Sequence, residues 1–110
     1  MFDPSHFDDI EWDDQDDDDG NLVHCLRHGV DEGVVADVLW QRPVEISLAS
    51  TMADFVIVGP DRHWEQIWTL LLIVSPTRGD RLRPVTGWPA TRAQIEPWER
   101  ATGLAWPSKR

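Results

Sequence analysis

The chain has 110 residues, with 20 acidic and 10 basic side chains and a formal net charge of −10. That length favours one domain over two, and a hydrophobic fraction of 41% with seven Trp argues against global disorder. The single cysteine, Cys25, excludes an internal disulfide framework, and the longest apolar run, residues 67–74, is too short to span a bilayer.

The charge is uneven. Residues 1–20 hold ten carboxylates and no Lys or Arg, and residues 21–110 balance to zero. Within the latter, residues 78–110 carry a local +4. The acidity therefore belongs to an N-terminal leader, not to the whole chain. No basic stretch precedes an apolar one at the N-terminus, so no signal peptide is expected. A reducing cytoplasm is the expected compartment.

Residues 1–9 read as an acidic, flexible leader, because adjacent like charges repel. Ile10, Glu11 and Trp12 alternate and suggest a short strand. Asp16 to Asp19 then stand where carboxylates would complement a helix dipole. The spacing predicts a first helix ending at His28, with Leu22, Cys25 and Leu26 on one face and Gly29 as its C-cap. A second helix is predicted from Glu32 to Trp40, with Val35, Val38 and Leu39 inward and Pro43 ending it.

Four strands should follow. Residues 44–48 alternate, and residues 55–58 stop at Gly59, Pro60 and Asp61. Residues 67–74 are apolar at nearly every position, which predicts a central strand covered on both faces. Residues 82–86 contain Pro84, which lacks an amide donor and implies an edge or a bulge. Thr91 with Gln94 forms a capping-box pattern for a last helix, with Ile95, Trp98 and Thr102 inward. Pro97 requires either a bend or a later start. Residues 103–110 read as a loose tail. The predicted order is a short strand, two helices, a four-stranded antiparallel meander and one helix, an α+β domain over residues 10–102.

Few constellations carry chemistry. His24 and His28 are spaced i, i+4 beside Cys25, but no further ligand spacing selects a metal site, so none is expected. The two histidines read first as packing or capping residues; His28 also suits proton transfer near neutral pH. Arg81 and Arg83, two apart in a strand, should share a face, with Arg78 in the turn before them. Arg92 and Trp88 lie close by. Arginines with an aromatic neighbour suit single-stranded RNA, through phosphate contacts and base stacking. Composition alone favours the plainer alternative of surface arginines beside a core tryptophan. There is no glycine-rich phosphate loop and no nucleophile elbow, and Ser47, Ser50, Ser75 and Ser108 have no evident His/Asp partnership.

Two ends of the chain resemble the BrnT-type toxins. One is Glu11–Trp12–Asp13 followed by Asn21-x-x-His24-x-x-x-His28-Gly29-Val30. The other is Thr77–Arg78–Gly79–Asp80–Arg81–Leu82–Arg83–Pro84–Val85–Thr86, then Ala90–Thr91. The order of elements is similar over roughly residues 10–102. The resemblance implies a RelE-like fold and a type II toxin–antitoxin module. It implies a ribonuclease that inhibits translation without metal or other cofactor. It also implies a small antitoxin with a ribbon-helix-helix DNA-binding half, through which alone the pair would touch DNA.

Carried over by residue, the resemblance makes His28, Arg78 and Arg83 the catalytic candidates. Arg81, Trp88 and Arg92 become RNA-binding candidates. The chain departs from the family in placing Trp88 where a third arginine usually stands, and Trp98 after Pro97 where the last helix often has Tyr. Its aspartate run is also heavier. Losing one charge-assisted phosphate contact costs about 1.5–3 kcal/mol. That is roughly one to two decades in rate. The alternative expectation is therefore a non-catalytic protein-binding module on the same fold. A third is that the acidic leader folds over the basic region as an RNA mimic; a solvated tail is the simpler alternative.

Overall fold

A computed structural model describes residues 2–48 and 52–106. Ser50, Ser108, Lys109 and Arg110 lie outside the described residues. The elements are β1 (Asp9–Ile10), α1 (Asn21–Arg27), α2 (Glu32–Trp40), β2 (Val44–Glu45), β3 (Phe55–Pro60), β4 (Ile67–Val74), β5 (Arg81–Pro89) and α3 (Arg92–Thr102). They form an α+β fold around one five-stranded sheet, in the order β1-β5-β4-β3-β2.

The antiparallel meander runs from β2 to β5, as the alternation and turn signals predict. The sheet nevertheless has five strands, not four, and is mixed. β1 joins β5 in parallel, with Asp9 opposite Arg81 and Ile10 opposite Leu82. The reason is hydrogen-bond demand at an otherwise open edge. The Asp8 amide donates to the Asp80 carbonyl and the Glu11 amide to the Leu82 carbonyl, both at 2.7 Å.

β4 sits at the centre, and its continuous apolar run follows from burial on both faces. On one face Leu70, Leu72, Ile57 and Leu82 pack against Cys25, Val30, Val35 and Val38 of the α1–α2 region. On the other, Val58 and Ile67 pack against Ile95 and Trp98 of α3. Gly87 of β5 makes the first packing possible: a Cβ there would lie 2.7 Å from Leu70 and 2.9 Å from the Thr69 carbonyl oxygen. Pro84 marks a bulge. Leu71 faces Thr86 and Leu72 faces Pro84, which leaves Val85 as the extra residue.

The first helix starts later than its carboxylates suggest. Asp14 and Asp17 bond the amides of Asp16 and Asp19 with their side chains, at 2.9 and 3.0 Å. These local bonds hold turns and compete with helix. α1 therefore begins after Gly20, which Asp13 crowds so closely that a Cβ would lie 2.6 Å from the Asp13 Cβ. Leu26 is half exposed rather than inward. The helix closes in a Schellman motif: Val30 donates to the Cys25 carbonyl, Gly29 to that of Leu26, and Gly29 takes φ 79°. α2 has the predicted limits, capped by Asp31 accepting from the Val34 amide at 2.8 Å.

The described residues at both ends, from Phe2 and up to Trp106, are tied down. Phe2 is only 7% exposed and packs edge-on against Phe55, so the leader is anchored in the core rather than free. Its amide donates to Glu45 at 2.7 Å. At the other end α3 carries the full capping box of Thr91 and Gln94 and starts at Arg92, with Pro97 inside it. Thr102 is exposed, its hydroxyl donating to the Trp98 carbonyl. Residues 103–106 are not loose: Gly103 adopts φ 75° and the Trp106 amide donates to Glu99 at 2.6 Å. Among the described residues, no helix is long and apolar enough to cross a membrane.

Candidate functional site: an arginine clamp on the sheet edge

Leu82 points into the α1–α2 core, so its neighbours Arg81 and Arg83 share the opposite face, as their spacing predicts. Arg83 is 21% exposed and closed in by carboxylates. Its Nη1 donates to Glu11 and to Asp13, each at 3.0 Å, and its Nη2 donates to Asp13 at 2.8 Å. Arg81 approaches the same Glu11 at 3.9 Å. Arg78, in the turn, pairs with Asp80 at 3.2 Å. Three arginines thus face three carboxylates, and the local charge is neutralised where the sequence suggests a basic surface.

Four residues outside the site candidates read from the sequence, Asn21, Ser75, Glu11 and Asp13, build this clamp. Asn21 is 9% exposed and joins its parts. Its Nδ2 donates to the Glu11 and Pro84 carbonyls, its Oδ1 accepts from the Asp13 amide, and its own amide donates to the Asp13 carboxylate. Ser75 is not a nucleophile in waiting: its hydroxyl bonds Glu11 at 3.0 Å and accepts from the Arg78 amide at 3.2 Å. Glu11 and Asp13 occupy alternate positions after β1, so both reach β5. That i, i+2 spacing is the one sequence signal that could have pointed to the pair.

The electrostatics follow from these contacts. The Arg83 guanidinium, then the Asn21 amide, hold the Asp13 carboxyl below its ordinary value of 3.8. Asp13 in turn raises Arg83 further above its ordinary value. Arg78 lowers the Asp80 carboxyl in the same way. Burial pushes the Cys25 thiol up to about 11, so it is a packing residue and no ligand beside the histidines. Among the described residues, no group of three His, Cys, Asp or Glu side chains is placed to hold a metal ion.

The remaining candidates lie elsewhere. His28 is exposed at the end of α1, its ring 5.0 Å from that of His24. A cleft of about 430 Å³ beside the clamp is lined by Arg83, Asp13, Asn21, His24 and Arg27, without His28. The structure therefore brings His24, not His28, to the arginine side. Trp88 is half buried, and its Nε1 donates to Gln94 at 3.0 Å. The same Gln94 oxygen accepts from Thr69 and from the Thr91 amide, so the Trp88 indole nitrogen is tied to the start of α3. Arg92 is engaged by Glu99 and by the Trp106 carbonyl. Asp16 to Asp19 form no ion pair among the described residues; Asp18 and Asp19 line the cleft.

Chemically, the site can hold a strand by ion pairing. A phosphate at Arg83 would compete with Glu11 and Asp13, which already take three hydrogen bonds from its Nη1 and Nη2. In comparisons with known proteins, no family model, no curated protein and no solved structure matches the chain.

Proposed function

We propose that the chain is the toxin-type component of a type II toxin–antitoxin module, similar in layout to BrnT toxins, and that it works by binding a small protein partner rather than by cleaving RNA. The observation that carries this reading is the closed Arg83 clamp. A ribonuclease needs an arginine whose donors are free for the charge that develops on phosphate. Here three of those donor contacts already go to Glu11 and Asp13, whose carboxylates offset the guanidinium charge. The partner proposed is an antitoxin with a ribbon-helix-helix DNA-binding half, and the pair would act in the bacterial cytoplasm.

A second reading is the metal-independent endoribonuclease on a RelE-like fold. What favours it is that Arg78 is 54% and Arg81 34% exposed on the same side as Arg83. Attack by the ribose 2′-OH on the adjacent phosphate would then use Arg78 and Arg83, with Arg81 on the RNA.

The test expresses the intact chain in bacteria with and without any small ribbon-helix-helix protein encoded beside it, and incubates the purified chain with RNA; lack of such a reading frame counts against the module. Stable co-purification with that neighbour, harmless expression alone and uncut RNA are the expected results. Growth arrest that disappears in Arg83→Ala, together with cut RNA, would replace the binding reading with the nuclease. Failure of the neighbour to co-purify would remove the module reading.

A further inference from the structure

A second cleft, of about 480 Å³, lies across the molecule's leader side. Phe7, Ile10, Leu39, Trp40 and Leu82 supply its apolar lining. Trp40 is 87% exposed at its mouth, a large apolar surface left in water. Arg42 at the lip holds φ 57°, a left-handed conformation that disfavours an ordinary side chain. Outliers of this kind cluster where a surface is used.

From this geometry we infer that the cleft receives an amphipathic helix of a partner protein, apolar on one face and flanked by Lys or Arg. The chemistry follows from the rim. Asp8 and Asp9 belong to the lining and are exposed. Against these two carboxylates the lining carries one cation, Arg42. Charge complementarity therefore selects a basic occupant. An added strand fits less well. β1 is two residues long, and the Ile10 amide is already taken by the Asp9 carboxylate at 2.8 Å. Recognition then rests on side chains in the cleft, the helix-in-groove mode, with Trp40 as the anchor.

This inference deepens the partner-binding reading and rests on it for the source of the helix. The probe is a helical peptide of Leu and Lys, long enough to hold its helix at about 18 residues. A Leu and Glu peptide with the same apolar face is the control. Titration calorimetry of the intact chain at physiological salt should show saturable, one-to-one binding of the Leu–Lys peptide. The Leu–Glu peptide should bind at least about tenfold more weakly, and Trp40→Ala should weaken the Leu–Lys peptide by about tenfold or more. Because Trp40 is so exposed, Trp40→Ala should melt as the intact chain does. Replacing Asp16 to Asp19 with Asn should leave binding within about twofold, since those residues lie outside the cleft. Absence of binding, or affinity that falls with the Asn replacements and not with Trp40→Ala, would overturn the inference. Neither result bears on whether the neighbouring protein co-purifies, so the two readings fail separately.

Discussion

Replacing Arg83 with Met removes three hydrogen bonds at once and leaves Glu11 and Asp13 facing each other. An exposed ion pair contributes about 0–1 kcal/mol, whereas breaking a fully buried one costs about 3–5 kcal/mol. The Arg83, Glu11 and Asp13 side chains are 21%, 19% and 30% exposed, between those limits, so the stranded carboxylates keep part of their hydration. The expected cost is about 2 kcal/mol. For a domain of this size that lowers the melting temperature by about 8–16 °C. The sharper assay is a double-mutant cycle with Asp13→Asn by urea unfolding, where the coupling should be about 1–2 kcal/mol. Arg83→Lys should not restore it, because one ammonium cannot bridge two carboxylates as a planar fork does. The pH dependence has a definite sign. The folded Asp13 carboxyl titrates below its ordinary 3.8, so its stabilisation is complete above that value and is lost as the pH falls through the lowered one. The coupling should therefore be the same at pH 7 and pH 5 and should fade below about pH 4. A coupling under about 0.5 kcal/mol at pH 7 would refute the claim that the clamp holds the leader to β5.

Three further outcomes test the packing. Gly87→Ala should cost about 2–3 kcal/mol, because the new methyl meets the Thr69 carbonyl oxygen, a backbone atom of the neighbouring strand that cannot swing away; an unchanged urea midpoint would contradict the close approach. Phe2→Ala should lower stability by about 2–3 kcal/mol, less than for a central phenylalanine because a terminal segment collapses more readily. A melting temperature within a degree or so of the intact chain would show that the leader is no part of the core. Cys25 is fully buried with its thiol raised to about 11, so a thiol reagent near pH 8 should label it only in denaturant. Rapid labelling of the folded protein would show that the α1 face opens.

Elements specified within a few residues were legible before the structure. α2 needs only the Asp31 cap, the apolar positions Val35 and Val38, and the Pro43 stop, all local. β4 needs only eight residues of apolar run, and α3 only the reciprocal bonds of Thr91 and Gln94. Reading failed where the deciding contact was remote. Gly59 and Pro60 look like a strand's end, yet β3 runs through both because Pro60 pairs with Ile67. Residues 103–106 look loose, yet Glu99 and Arg92 hold Trp106 from the preceding helix.

The candidate site shows the same division. Its arginines were visible as a local +4, and Arg81 and Arg83 share a face because strands repeat every two residues. What the composition could not say is whether those charges are free. Glu11 and Asp13 meet Arg83 across 72 and 70 residues, and their i, i+2 spacing does not by itself select them from ten carboxylates. Sequence settled the number of charges, the limits of α2, the capping box of α3 and the apolar periods, since each depends on neighbours within one or two turns. Tertiary structure alone decided that the short strand at Ile10 joins β5 in parallel and that Glu11 and Asp13 close on Arg83. That outcome depends on the open edge of β5, the buried Asn21 joint and the anchoring of Phe2, which exist only once the chain has closed on itself.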